Sequence, residues 1–230
     1  MIAGTVARFK RASKIVFLSC LTLIPGTGIG HDMLEARASN CNSSGSPDVA
    51  RQLFAFQAEA ISQYKAGQLH ATNHTWRQAL DYARAHCWQS VLSTGDHLLS
   101  QGQARKAFVA YAGRLHSYDL LPGGYSDLGA VEPFERGLEA GAAGDFSGAI
   151  AAFRSAIGKV AADPGMRDAG FPEADFMLGV SLFAEGQRAQ AVQQWRQALL
   201  HTGPPFPEEE NFGPPSAWVS ALNFYVTLDP

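Results

Sequence analysis

The 230-residue sequence predicts an all-α fold, an α-solenoid of stacked helix hairpins finished by a C-terminal capping helix. Three observations carry this. A glycine is followed nine residues later by a large aromatic four times: Gly67 and Trp76, Gly102 and Tyr111, Gly144 and Phe153, Gly186 and Trp195. Seven residues before each glycine stands a tiny residue, namely Ala60, Gly95, Gly137 and Gly179. No stretch of useful length alternates polar and apolar residues with the period of a strand. At 46% hydrophobic and 17% charged, the composition is that of a chain able to bury a core.

The chain opens with four cations (Arg8, Lys10, Arg11, Lys14), an apolar run from Ile15 to Ile24, and then Pro25-Gly26 with small residues after it. That order is the signature of a secretory signal peptide, expected over residues 1–30. Ten apolar-biased residues would reach only about 15 Å as a helix, half a hydrocarbon core, so membrane contact is expected only through this leader if it stays uncleaved. Leu18-Ser19-Cys20 is a weak lipobox, because the apolar run continues past the cysteine. Residues 31–47 read as a flexible linker. Loss of the leader leaves Cys41 and Cys87 in a compartment that permits a disulfide; one flexible and one packed thiol is the other reading.

Within each repeat the glycine ends one helix by adopting the left-handed conformation without steric cost. The tiny residue lets the second helix cross the first closely, and the aromatic faces back onto it. The helices expected are 48–66, 72–86, 88–101, 104–118, 131–143, 146–161, 172–185 and 188–201. Pro47 and Pro172 suit first helical turns, and Asp145 suits an N-cap. A last helix over 216–228, with Trp218, Ala221, Leu222 and Tyr225 on one face, is expected within the final segment 205–230 to cap the end of the stack. A lone hairpin cannot close a core, so the units over 48–204 are expected to stack in chain order.

These residues resemble the tetratricopeptide repeat (TPR) family. The fourth unit matches best, through Leu178-Gly179, Leu182, Gly186, Ala191, Trp195, Ala198 and Pro204. The third fits through Gly137, Ala140, Gly144, Ala149, Phe153 and Ala156, and the second through Gly95, Leu98, Gly102, Ala107 and Tyr111. Asp175 stands where the family has a large aromatic, Arg114 replaces a small residue, and two of the repeat spacings are 42 residues against the family's 34. The resemblance implies a right-handed solenoid whose first helices line a concave, partner-binding groove. It places inward Phe54, Gln57, Ile61 and Tyr64, then Leu92, Asp96 and Leu99, then Phe134, Leu138, Phe176, Val180 and Phe183. Tyr64, Phe134, Phe176 and Phe183 are the expected anchors for an apolar or amphipathic segment of another protein. Core packing, with the C-terminal helix covering these side chains, is the competing reading. The loops 120–130, 162–171 and 202–215 are long enough to be functional or to be plain spacers. Glu208, Glu209 and Glu210 read as a solvated charge run.

The chemistry of an enzyme is not legible here. His31, His70, His74, His86, His97, His116 and His201 are scattered, and His70 with His74 straddles a turn without the helical Glu of a zinc-protease motif. His86 beside Cys87 does not by itself orient an imidazole onto a thiolate. No cofactor and no metal are expected. Without the leader, 14 Lys and Arg stand against 21 Asp and Glu, near −7, which argues against a nucleic-acid partner. The expected function is an exported, periplasmic protein–protein interaction module, an adaptor or a subunit of an envelope assembly. A structural spacer, or a small enzyme on a helical-array body, is the alternative.

Overall fold

A computed structural model describes residues 47–86, 88, 92–115, 123–202 and 217–228. The expected leader, nearly all of the 31–47 linker, Cys41, Cys87 and the loop from 203 to 216 lie outside the described residues. The described residues form helices α1 (Pro47–Lys65), α2 (Leu69–Ala85), α3 (Ser93–Ser100), α4 (Ala104–Leu115), α5 (Gly123–Asp127), α6 (Val131–Ala143), α7 (Phe146–Ala162), α8 (Pro172–Ala184), α9 (Arg188–Leu200) and α10 (Trp218–Leu228). No strand occurs among them.

The four glycine turns share one geometry. Gly67, Gly102, Gly144 and Gly186 have φ of 75°, 73°, 92° and 76°. In each, the glycine N–H donates to the carbonyl three residues back, and the next residue's N–H donates to the carbonyl five back, as in Gln68 to Gln63 at 2.9 Å and Gln187 to Leu182 at 2.8 Å. This paired bond is the Schellman motif, which satisfies the last carbonyls of the first helix and reverses the chain. Asp145 caps α7 as expected, accepting the Gly148 N–H at 2.9 Å.

The tiny residues do what their spacing implies. A Cβ on Gly137 would lie 2.6 Å from the Phe153 ring, and one on Gly95 or Gly179 would overlap Tyr111 or Trp195. Trp76, Tyr111, Phe153 and Trp195 are all fully buried. In three pairs the aromatic packs on the bare backbone of a glycine, with Ala60 in the corresponding place on α1, and α1/α2, α3/α4, α6/α7 and α8/α9 form four close pairs.

The pairs do not all follow one another in chain order. Helix α4 packs on α6, and α7 on α8, so the second, third and fourth pairs are consecutive layers. The first pair instead lies against the fourth: α1 packs on α9, and α2 on α10. Among the described residues it has no extensive packing against α3 or α4, which corrects the expectation of a stack in sequence order. Three contacts hold it there. Lys65 Nζ lies 3.4 Å from Asp168 Oδ2, Gln57 Nε2 donates to the His201 carbonyl at 3.2 Å, and the Arg196 guanidinium lies 5.9 Å from the centre of the Tyr64 ring. The physical reason is α10, whose second apolar face gives α2 a surface to bury.

Candidate functional site

Helix α10 packs against α2, α8 and α9. Phe224 stacks on Trp195 with ring centres 5.0 Å apart and approaches Phe176 at 6.4 Å. Tyr225 meets the Trp76 ring edge-on at 5.0 Å and donates its hydroxyl to Asn73 at 3.0 Å. Arg84 reaches Asn223 at 2.8 Å. Trp218, Ala221 and Leu222 are fully buried. The helix expected to cap the end of the stack is therefore an interior element, because apolar side chains occupy more than one of its faces.

Leu92, Leu99, Phe134, Leu138, Phe176 and Val180 are core residues, and Gln57 is buried with them. The structure corrects the expectation of an open apolar trough at these positions. Ile61, Tyr64, Asp96 and Phe183 are half-buried, and Phe54 alone of the set is exposed, at 37%. Of the four expected anchors, Phe134 and Phe176 are packing residues, while Tyr64 and Phe183 each lie beneath an arginine.

Two carboxylates tie the layers together. Asp96 on α3 accepts from the Tyr111 hydroxyl at 2.9 Å and from Ser220 on α10 at 2.7 Å. Burial raises its pKa from 3.8 to about 6, against the opposing pull of those two hydrogen bonds. Burial likewise pushes the Tyr111 hydroxyl well above its ordinary value, with the charge of Asp96 adding to the effect. Asp175, noticed in the sequence only as a misfit to the repeat, is fully enclosed on α8. It accepts from His201 Nδ1 at 2.6 Å and from Gln194. Burial raises its pKa, and the His201 and Gln194 contacts oppose the rise.

The His201 ring lies over Gly170, where any Cβ would overlap it, and the Gly170 carbonyl accepts from the buried Tyr125 hydroxyl at 2.8 Å. Through Gln57 and His201, Asp175 thus links α1, α8, α9 and the 163–171 segment. An Asp–His pair can orient an imidazole for proton transfer, but catalysis of that kind also needs a hydroxyl or thiol within reach of the ring. The His201 ring nitrogens make no hydrogen bond to such a group among the described residues. The 123–130 and 163–171 segments are each anchored in the core by one ring, since Tyr125 stacks on Phe171 at 4.1 Å and both are fully buried, while Asp127, Pro164 and Asp168 stay exposed. No group of three or more His, Cys, Asp or Glu among the described residues is placed to hold a metal ion. No described helix is long and apolar enough to cross a membrane.

A surface cleft of about 650 Å³ remains open where α9 and α10 meet. Ala189, Val192 and Leu228 supply apolar surface, and Arg188, Arg196, Gln193, Tyr225 and Thr227 supply polar groups. The Arg188 guanidinium lies 5.5 Å from the centre of the Phe183 ring, as Arg196 lies over Tyr64. Neither arginine is in an ion pair among the described residues, and Arg196 Nε is buried without a hydrogen-bond partner. The sequence signal was present but plain: two arginines eight residues apart on a helix, with Ala189, Val192 and Gln193 between them.

In comparisons with known proteins, no family model matches the chain, and no curated protein or solved structure matches it either.

Proposed function

We propose that this chain is an exported, TPR-like protein–protein interaction module, serving in a bacterial periplasm as an adaptor or assembly subunit. Its helix pairs form a right-handed TPR-like array whose concave side is filled by its own C-terminal helix. The partner surface is displaced to the α9–α10 cleft. The observation that carries this reading is the pairing of an open cleft with two arginines that form no ion pair among the described residues. A folded chain that serves only as a spacer has no need to hold two guanidinium groups over aromatic rings beside exposed apolar surface. Export is supported by the order of cations, apolar run and small residues over 1–30.

Site-specific photo-crosslinking in native cells tests it. A benzophenone side chain at exposed Gln193, inside the cleft, is expected to yield a discrete adduct with a second protein, while the same group at exposed Glu139 on α6 yields none. No adduct at Gln193, or the same adducts from both positions, would contradict the proposal.

A further inference from the structure

We infer that the α9–α10 cleft recognises a short acidic segment of a partner protein, with Arg188 and Arg196 each taking a carboxylate and Ala189, Val192 and Leu228 taking the apolar side chains between. The inference rests on the interaction-module reading and adds to it the chemistry of the partner.

Helix geometry sets the spacing. Residues 188 and 196 are eight apart on α9, a rise of about 12 Å at 1.5 Å per residue. An extended peptide covers that distance in about four residues, at roughly 3.3 Å each. The matching ligand therefore has acidic residues at its first and fifth positions and apolar ones between. A cleft of 650 Å³ lies in the range of sites that enclose compact ligands, about 300–1,000 Å³.

The state of the arginines supplies the charge argument. The Phe183 and Tyr64 rings lie 5.5 and 5.9 Å from the two guanidinium carbons, contacts that use no N–H donor on a carboxylate and leave charge-assisted hydrogen bonds to be made by a ligand. Arg196 Nε is buried with no hydrogen-bond partner, so this guanidinium is held at the cleft short of one hydrogen bond, a cost that a carboxylate on its remaining N–H groups would offset. The chain as a whole carries a net charge of −3, so this is a local reversal of sign that steers acidic segments to one place. A purely apolar occupant would leave both guanidinium groups without an ion pair among the described residues.

Fluorescence anisotropy with the purified full chain tests the inference. The probe is a labelled, end-blocked pentapeptide with glutamate first and fifth and leucine, alanine and valine between; its twin carries glutamine at both ends. The acidic peptide is expected to bind at least tenfold more tightly than the twin, and to weaken steeply as salt rises. Arg188→Gln and Arg196→Gln should each weaken it by about tenfold. Because Arg196 packs on Tyr64, Gln193→Glu gives a second variant at an exposed position, expected to weaken binding by about fivefold while circular dichroism stays unchanged. Equal binding of the two peptides, no binding at 1 mM probe, or full binding by a folded Arg188→Gln/Arg196→Gln double variant would overturn the inference. If the Gln193 crosslink nevertheless forms in cells, only the ligand chemistry has failed and the module reading stands; loss of the crosslink removes both.

Discussion

Replacing Asp96 by asparagine should make the protein more stable at neutral pH and flatten its response to acid. In the native state this carboxyl has a pKa of about 6 against 3.8 in its ordinary environment, because burial disfavours the charged form more than Tyr111 and Ser220 favour it. The native state therefore holds its proton to higher pH than the unfolded chain does. Stability from this group is complete below pH 3.8, falls as pH rises toward 6, and is flat above that. A difference of about two pH units corresponds to a loss of about 3 kcal/mol between pH 4 and 7.

Asparagine keeps an acceptor for one hydroxyl and offers an N–H to the other, and Tyr and Ser hydroxyls can both rotate to accept. The network can thus survive without the buried charge. Urea unfolding followed by circular dichroism at pH 4, 5, 6, 7 and 8 is the assay. With a urea dependence of about 2–3 kcal/mol per molar, Asp96→Asn should raise the midpoint by about 1 M at pH 8 and change it little at pH 4. Asp175 titrates in the same direction in both proteins, so the difference between wild type and variant isolates Asp96. Asp96→Ala, which removes the shared acceptor of two hydroxyls, should instead destabilise by about 2–4 kcal/mol at pH 4 and by about 3 kcal/mol less than that at pH 8, where it also removes the buried charge. A wild-type and an Asp96→Asn profile of the same slope between pH 4 and 7 would refute the reasoning.

Two further substitutions probe the packing. Phe176→Ala, at a fully buried ring in contact with Tyr111 and Phe224, should cost about 3–5 kcal/mol in the same unfolding assay, whereas Phe54→Ala at the exposed position should stay within about 0.5 kcal/mol. Comparable effects would mean that the trough is open after all. Gly137→Ala should lower stability by about 1–3 kcal/mol despite the better helix propensity of alanine, because its methyl would press on Phe153; a stabilised variant would show that α6 and α7 do not cross at that point.

Much of the fold is written in local pattern. A glycine at a helix end and an aromatic nine residues later depend only on neighbours within one hairpin, so the four turns and most helix limits are readable from spacing. Three limits moved. Helix α2 begins at Leu69, where Gln68 follows the turn glycine directly and accepts from Thr72 through its carbonyl. The described part of α3 starts at Ser93, and α5 was not anticipated because five residues are too few to show helical period.

The arrangement of the pairs was not readable, because it depends on contacts between distant residues. Ser220 finds Asp96 across 124 positions, and Gln57 finds His201 across 144. The stripe of Phe134, Leu138, Phe176 and Val180 shows that a face is buried and is silent about what buries it. The aromatic content of α10 was visible, but a terminal helix with apolar residues on more than one face reads equally as an end cap or as a plug. The charge of Asp175 drew attention only as an exception to a pattern. Its meaning lies in Gln194, nineteen residues on, and in His201, twenty-six residues on.

The seating of α10 among the other helices is measured directly by native-state hydrogen exchange read by mass spectrometry. Amides of 218–228 should exchange as slowly as those of α8, with opening free energies close to that of global unfolding, since Trp218, Phe224 and Tyr225 lie in the same core as Phe176. Exchange of the 218–228 amides within seconds, while α8 stays protected for hours, would mean that the helix is a loosely held tail and that Phe176 is not covered by it.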